Sequence, residues 1–194
     1  MENIVLFGAP GVGKGTHANI LAEKYDLLHL STGDMLRAEI EARTPLGQRV
    51  RTAMERGDLV GDDVVIGLVD KALSSTEQGV ILDGFPRTVQ QAQALDFLFK
   101  HHNRRMNCVI SIDAPREELV RRIHERALIS GRTDDSNDDT IRHRLEEYEA
   151  KTKPVTDYYK VSGLLVCIDG SGEINQTSMR LCKVVDGLIR KNRK

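Results

Sequence analysis

The chain has 194 residues, 40% of them hydrophobic and 29% charged, with 28 Lys plus Arg against 29 Asp plus Glu. That length supports one domain with its own core and modest insertions. The near-neutral balance argues against a nucleic-acid binder, because a polyanionic backbone selects strongly basic faces. No stretch approaches the ~18 consecutive apolar residues of a membrane-spanning helix, so no membrane partner is expected. The opening MENIVLF lacks a basic segment, apolar stretch and cleavage site, and a cytoplasmic location is expected. Three cysteines with no CxxC or CxxH pair fit that compartment, and no zinc is expected.

In chain order, the first element is the apolar run Asn3–Phe7 (NIVLF), continuous rather than alternating, which predicts a strand covered on both faces. GAPGVGKGT, Gly8 to Thr16, follows directly, and then a helical pattern over His17–Tyr25. Glycines at this spacing let the backbone wind tightly enough for the N–H groups of Gly11, Val12, Gly13, Lys14, Gly15 and Thr16 to face phosphate oxygens. The helix turns its positive end to the same anion, and Lys14 adds a full charge for the β- and γ-phosphates. Strand, glycine loop, lysine and helix together read as a nucleoside triphosphate cradle. The residue after the lysine is Gly15, with the hydroxyl delayed to Thr16. Thr16 is therefore a less certain magnesium ligand than its counterpart in GTPases.

Leu27–Leu30 is a second short strand. Residues 31–60 read as polar and helical, with Thr44-Pro45 between two helices and no strand. Val80–Asp83 (VILD) is the third strand, and its last residue precedes Gly84-Phe85-Pro86-Arg87. An acid at the carboxyl end of a strand beside a phosphate loop suits Mg²⁺ held through water. A helix over Ala92–Lys100, a strand at Cys108–Asp113 (CVISID) and a helix over Arg116–Arg126 come next. Residues 128–139 (LISGRTDDSNDD) read as a polar loop punctuated by Gly131. Leu164–Asp169 (LLVCID) is the last strand. In the helix Ile174–Arg190 an apolar stripe takes in Met179, Leu181, Cys182, Val185, Leu188 and Ile189, and the terminal RKNRK is its frayed cationic end.

Strand–helix alternation predicts an α/β fold with a five-stranded parallel sheet and helices on both faces. The core is expected over 1–30, 61–127 and 140–194, with 31–60 and 128–139 as insertions that flap around a central site. Cys108 and Cys167 fall inside apolar runs and are expected as small buried hydrophobes.

Phosphoryl transfer needs charge spread over several oxygens to be neutralised while donor and acceptor are held in line. Arginine suits this, because its planar fork takes two oxygens at once. Arg37, Arg87, Arg122, Arg126, Arg132 and Arg144 are the candidates. Each alone reads as a solvated surface residue, and their weight comes from the motifs around them.

Those motifs are GAPGVGKGT (8–16), LSTGDMLR (30–37), LDGFPRTVQQ (82–91), RRIHERALISGRTDD (121–135) and TIRHRLEEY (140–148). Ordered and spaced as they are, they resemble the adenylate kinases, within the nucleoside monophosphate kinases. The resemblance implies the P-loop NTPase fold with a helical NMP-binding insertion (31–60) and a short lid (128–139), ATP, AMP and ADP as partners, Mg²⁺ as cofactor, and a monomer. It implies that Thr32 meets the AMP adenine, that Arg37 and Arg87 grip its phosphate, that Val60 and Gly84 line its pocket, and that Gln91 reads the adenine edge. Pro86 would follow a cis bond. Arg122 would lie against the ATP adenine with Gly172 meeting it by backbone, Arg126 would touch ATP phosphates, and Arg132 and Arg144 would close over the transferring group. Lys14, Arg87, Arg126, Arg132 and Arg144 are the implied catalytic set, with Asp83 holding Mg²⁺ through water. Asp134 and Asp135 match the paired acids of the lid, as hinge or closure contacts.

His17 stands where glutamine often follows GKGT, and is expected as a tolerated surface substitution. The other histidines share no metal spacing and are expected as surface or structural imidazoles. Glu146, Glu147 and Glu149 are expected as a solvated helix face, with Glu147 reaching Lys151. Two rival readings remain: a UMP/CMP kinase on the same fold, whose members tend to carry alanine and asparagine in place of Thr32 and Gln91, and a nucleotide-binding module without turnover. The chain has no NKxD base-reading motif of the kind such switches use.

Overall fold

The structure is a computed structural model that describes residues 2–130, 132–135 and 137–192. Five strands, β1 (Asn3–Phe7), β2 (Leu28–Ser31), β3 (Val80–Asp83), β4 (Cys108–Asp113) and β5 (Leu165–Asp169), form one parallel sheet in the order β2-β3-β1-β4-β5. The register sets Leu6 beside Asp83 and Ser31 beside Asp83, so the carboxyl ends of β1, β2 and β3 finish level. That edge is where ligands of open parallel sheets bind.

Period-two geometry sends alternate residues of each strand to opposite faces. Ile4, Leu6, Ile81, Ile110 and Ile112 pack with Leu21, Ile123, Leu145, Leu181 and Val185 on one side. Val5, Phe7, Leu82 and Val109 pack with Val69, Leu73, Leu95, Phe99 and Tyr159 on the other. The helices on the first face are α1 (Lys14–Tyr25), α6 (Arg116–Ser130), α7 (Asp138–Glu147) and α9 (Ile174–Asn192). On the second are α4 (Asp62–Ser74), α5 (Val89–His101) and α8 (Lys153–Val161). Each such aliphatic side chain contributes ~1.5–3 kcal/mol by burial, which ties both layers firmly to the sheet.

The insertion over 31–60 is two helices, α2 (Thr32–Glu41) and α3 (Pro45–Arg56). Ser31 caps α2 by accepting from the Asp34 N–H at 3.3 Å, and Thr44 caps α3 by accepting from the Gly47 N–H at 3.0 Å. Pro45 opens α3 and Gly57, at φ 79°, ends it.

Four expectations need correction. Residues 128–139 are not a polar loop throughout: α6 runs on to Ser130, Thr133–Asp135 make a 3₁₀ turn, and α7 starts at Asp138. Gly131 lies outside the described residues, as do the last two of the RKNRK tail. Met179 is 59% exposed and leaves the stripe to Leu181, Val185 and their neighbours. Its position, two residues before Leu181, is ~200° away around the helix. Cys167 is exposed while Cys108 is buried, because β5 is a sheet edge and β4 is interior. His17 is buried, not at the surface.

Candidate active site

The loop after β1 turns back over the sheet edge and runs into α1. Gly11, at φ 86°, is required twice over, since a Cβ there would meet the Leu119 carbonyl oxygen at 2.5 Å. Lys14 Nζ donates to the Gly8 oxygen at 2.7 Å and the Ala9 oxygen at 3.2 Å. Burial lowers its pKa to about 8, helped by the positive charges of Arg87, Arg126 and Arg144 and opposed by Asp83. Charge interactions therefore link one lysine to three arginines from three other segments.

Asp83 ends β3 nearly buried. Burial pushes its carboxyl up, but His29, Lys14 and Arg87 together hold it below the usual range, so it is a carboxylate at neutral pH. His29 Nε2 lies 3.5 Å from Asp83 Oδ2, close enough for charge contact but without a hydrogen bond. The Gly15 backbone packs against the same oxygen, where an added Cβ would lie 3.5 Å away. Among the described residues, no three or more His, Cys, Asp or Glu side chains are grouped to hold a metal ion. A cation beside Asp83 would keep most ligands as water and phosphate, which is the habit of Mg²⁺.

Arg37, Arg126, Arg132 and Arg144 are held by acids. Asp135, its side chain fully buried, accepts two hydrogen bonds from Arg126 at 2.7 and 2.8 Å and another from Arg144 at 2.5 Å. Arg144 also reaches Asp134 Oδ2 at 2.9 Å. Asp34 pairs with Arg37 at 2.5 Å and with Arg132 at 3.3 Å, joining the helical insertion to the segment after α6. His143 Nε2 meets Asp58 Oδ1 at 2.7 Å and makes a second such link. Arg87 is half-buried, donates from Nε to the Gly84 oxygen at 2.8 Å, and has its pKa lowered by burial and then by Arg144.

Toward β2 the cleft turns neutral. Thr32 is buried and donates to the Gly84 oxygen at 2.9 Å. Gln91 is buried in the first turn of α5, whose N-cap Thr88 accepts from the Gln91 N–H at 3.1 Å. Val60 packs on the neighbouring core and faces the same space. The Phe85–Pro86 bond is cis.

Toward β5, Arg122 donates to the Gly170 oxygen at 3.1 Å and the Gly172 oxygen at 2.9 Å, and pairs with Glu118 at 2.5 Å. His17 Nδ1 and Ser178 Oγ lie 3.0 Å apart, and burial followed by Arg122 lowers the imidazole pKa, so the ring is neutral. The six arginines, Asp83, Thr32, Gln91 and His17 line one cleft of about 1020 Å³ together with Gly11 to Thr16. That is at the upper end for a single small-ligand pocket.

The adenylate kinase family model matches residues 6–164. The chain belongs to the adenylate kinase family. It is 47% identical over 180 residues to an adenylate kinase of Thermus thermophilus, covering 93% of this chain and 95% of the relative. It is 43% identical over 190 residues to one of Flavobacterium psychrophilum, covering 97% and 100%. An adenylate kinase of Leptospira biflexa matches at 43% over 187 residues, covering 95% and 100%.

In this member of the family the cleft brings together the whole catalytic and binding set that the motifs imply, from Gly11 to Gly172. Sequence reasoning missed His17, His29, Asp34 and Asp62 as parts of its surroundings. Asp34 could have been found, because an acid three residues before Arg37 on a helix is within pairing distance. Asp62 carried no such local signal.

Proposed function

We propose the following division of labour for the cleft. The chain is a nucleoside monophosphate kinase, a phosphotransferase running ATP + AMP ⇌ 2 ADP. The observation that carries the residue assignments is the convergence of Lys14, Arg87, Arg126 and Arg144 on one cleft lined also by Asp83. ATP enters with its adenine lying against Arg122 and met by the Gly172 backbone, and its phosphates lie on the N–H groups of Gly11 to Thr16. Lys14 takes the β- and γ-oxygens. AMP enters with its base among Thr32, Val60, Gly84 and Gln91 and its phosphate on Arg37 and Arg87.

An AMP phosphate oxygen attacks the γ-phosphorus in line. The bond from that phosphorus to the β-bridging oxygen breaks, and the negative charge moves onto ADP. The acceptor is already an anion, so no general base is needed. Arg126, Arg132 and Arg144 hold the charge that spreads over the transferred group, the largest single source of acceleration in such reactions. Mg²⁺, held near Asp83 through water with Thr16 as a second candidate ligand, would neutralise charge on the β- and γ-oxygens. Residues 31–60 and 128–139 are the moving units, closing on the rest to exclude water. A cytoplasmic monomer is the setting we propose.

A coupled ADP-release assay with AMP, CMP, UMP and GMP tests the acceptor assignment. AMP is expected to turn over fastest by a wide margin. Faster turnover of CMP than of AMP would overturn it.

A further inference from the structure

Asp62 does not itself line the cleft. It opens α4, 29 residues before Gln91 in sequence, yet its Oδ1 accepts from Gln91 Nε2 at 2.6 Å and its Oδ2 from Thr88 Oγ1 at 3.1 Å. On the other side, the Arg87 backbone N–H donates to Gln91 Oε1 at 2.7 Å. Thr88 Oγ1 accepts from the Gln91 backbone N–H, so its single proton is available for Asp62. The result is a closed ring of hydrogen bonds in which each donor has one acceptor.

This ring settles which way the Gln91 amide faces. A backbone N–H can only donate, so it must meet the amide oxygen. An ionised carboxylate can only accept, so it must meet the amide NH₂. Turning the amide over would set NH₂ against N–H and oxygen against carboxylate, leaving four groups unpaired in a buried place. One N–H and one oxygen lone pair remain for a ligand, in a fixed order.

We propose that Asp62 is a positioning residue that locks the Gln91 amide, and that this lock makes the acceptor site select bases bearing an amino group beside an unprotonated ring nitrogen. Such a base offers a donor where the amide oxygen stands and an acceptor where its N–H stands. An oxo base with a protonated ring nitrogen, as in inosine monophosphate, offers the reverse pair and meets like with like. Sites built to hydrogen-bond one pattern reject its inverse strongly, because their own buried groups are then left unpaired. The inference rests on Gln91 facing the acceptor base, as proposed above.

The test is the ratio of kcat/KM for AMP to that for IMP at saturating ATP, in the natural chain and in Asp62→Ala. The ratio falls about tenfold in the variant, the scale of one oriented buried hydrogen bond. KM for ATP is unchanged, and kcat at saturating AMP is largely retained. CMP carries the same amino and ring-nitrogen pattern as AMP, so the AMP-to-CMP ratio stays put, whereas general loosening of the pocket would move both. Asp62→Asn keeps the size, but its amide can turn either face to Gln91, so the AMP-to-IMP ratio falls there too, by less. An unchanged ratio in whichever of the two folds overturns the inference. Gln91→Leu separates the two levels. If the AMP-to-IMP ratio holds in that variant too, Gln91 does not read the base. If it collapses there while the Asp62 variants keep theirs, the base reading stands and the lock does not.

Discussion

At the proposed base end of the acceptor site, Thr32, Gln91 and Asp62 are joined by hydrogen bonds to groups that cannot swap roles. At the phosphate end, Lys14, Arg87, Arg126 and Arg144 depress or oppose one another's charge, and Asp83, Asp134 and Asp135 offset the repulsion. One end is organised by partners within a few residues of a helix cap, the other by charges arriving from several elements. The base end is thus rigid because it is satisfied. The phosphate end is strained electrostatically, and an anion entering it relieves that strain, which is how a site favours a charge-rich transition state over a neutral competitor.

The largest expected effect breaks the phosphate end. Asp135→Ala leaves Arg126 and Arg144 facing Lys14 without their shared carboxylate, and costs about 3 kcal/mol, toward the low end for a buried pair because Arg126 keeps some contact with water. Thermal denaturation should show a fall of roughly 6–12 °C for a chain of this size. Added pyrophosphate should restore part of that loss by standing in for the carboxylate. Asp62→Ala, at the base end, should lose less and gain nothing from pyrophosphate. Equal rescue of both variants would remove the distinction between the two ends.

Arg87→Ala comes next. A charged contact to the transferring or accepting phosphate is worth at least ~100-fold in kcat/KM. The folded state loses a repulsive neighbour of Lys14, Arg37 and Arg144 together with an attractive partner of Asp83 and Asp134, so the melting temperature should stay within a few degrees of the natural value. Steady-state kinetics beside a melting curve reads both numbers. A near-normal rate would remove Arg87 from the machinery, and a collapse in stability would show that its bond to the Gly84 oxygen outweighs the repulsion.

How far the sequence could be read follows the same division. The phosphate loop was legible because its requirement is a backbone one, and only glycine serves at Gly11. The parallel sheet was legible because interior strands carry unbroken apolar runs. The edge position of β5 was not, since strand order is a property of the assembled sheet, and so the exposure of Cys167 could not be foreseen. His17 looked like a polar start to a helix. Its burial depends on Ser178 arriving from α9, 161 residues away in sequence. The arginines were legible by motif, and so were Asp134 and Asp135 as closure contacts, but not which arginines they hold, because Arg126 and Arg144 reach Asp135 only once the chain folds. Asp62 is the extreme case: its own surroundings in sequence, Gly-Asp-Asp-Val, say helix start and nothing more.

Lys14 gives the smallest effect and one with a definite sign. Its pKa falls from 10.5 in the free side chain to about 8 in the folded chain. The folded state therefore holds this proton less tightly than the unfolded state does. Below pH ~8 both states are protonated and the full cost of the buried charge is present. Between pH ~8 and ~10.5 the unfolded chain still carries a proton that the folded chain has released, so this group's contribution to stability becomes more favourable as pH rises. Lys14 keeps some contact with water, so the swing is about 2 kcal/mol rather than the whole shift converted at face value. Lys14→Met removes the titration along with the activity. The difference in stability between the methionine variant and the natural chain should therefore move by about that amount, in favour of the natural chain, across the window from pH ~8 to ~10.5. Chemical denaturation at several pH values measures it, since every other titrating group is common to both proteins. A difference that stays flat across the window would mean that Lys14 is not electrostatically strained, and the contrast between the two ends of the cleft would lose its physical basis.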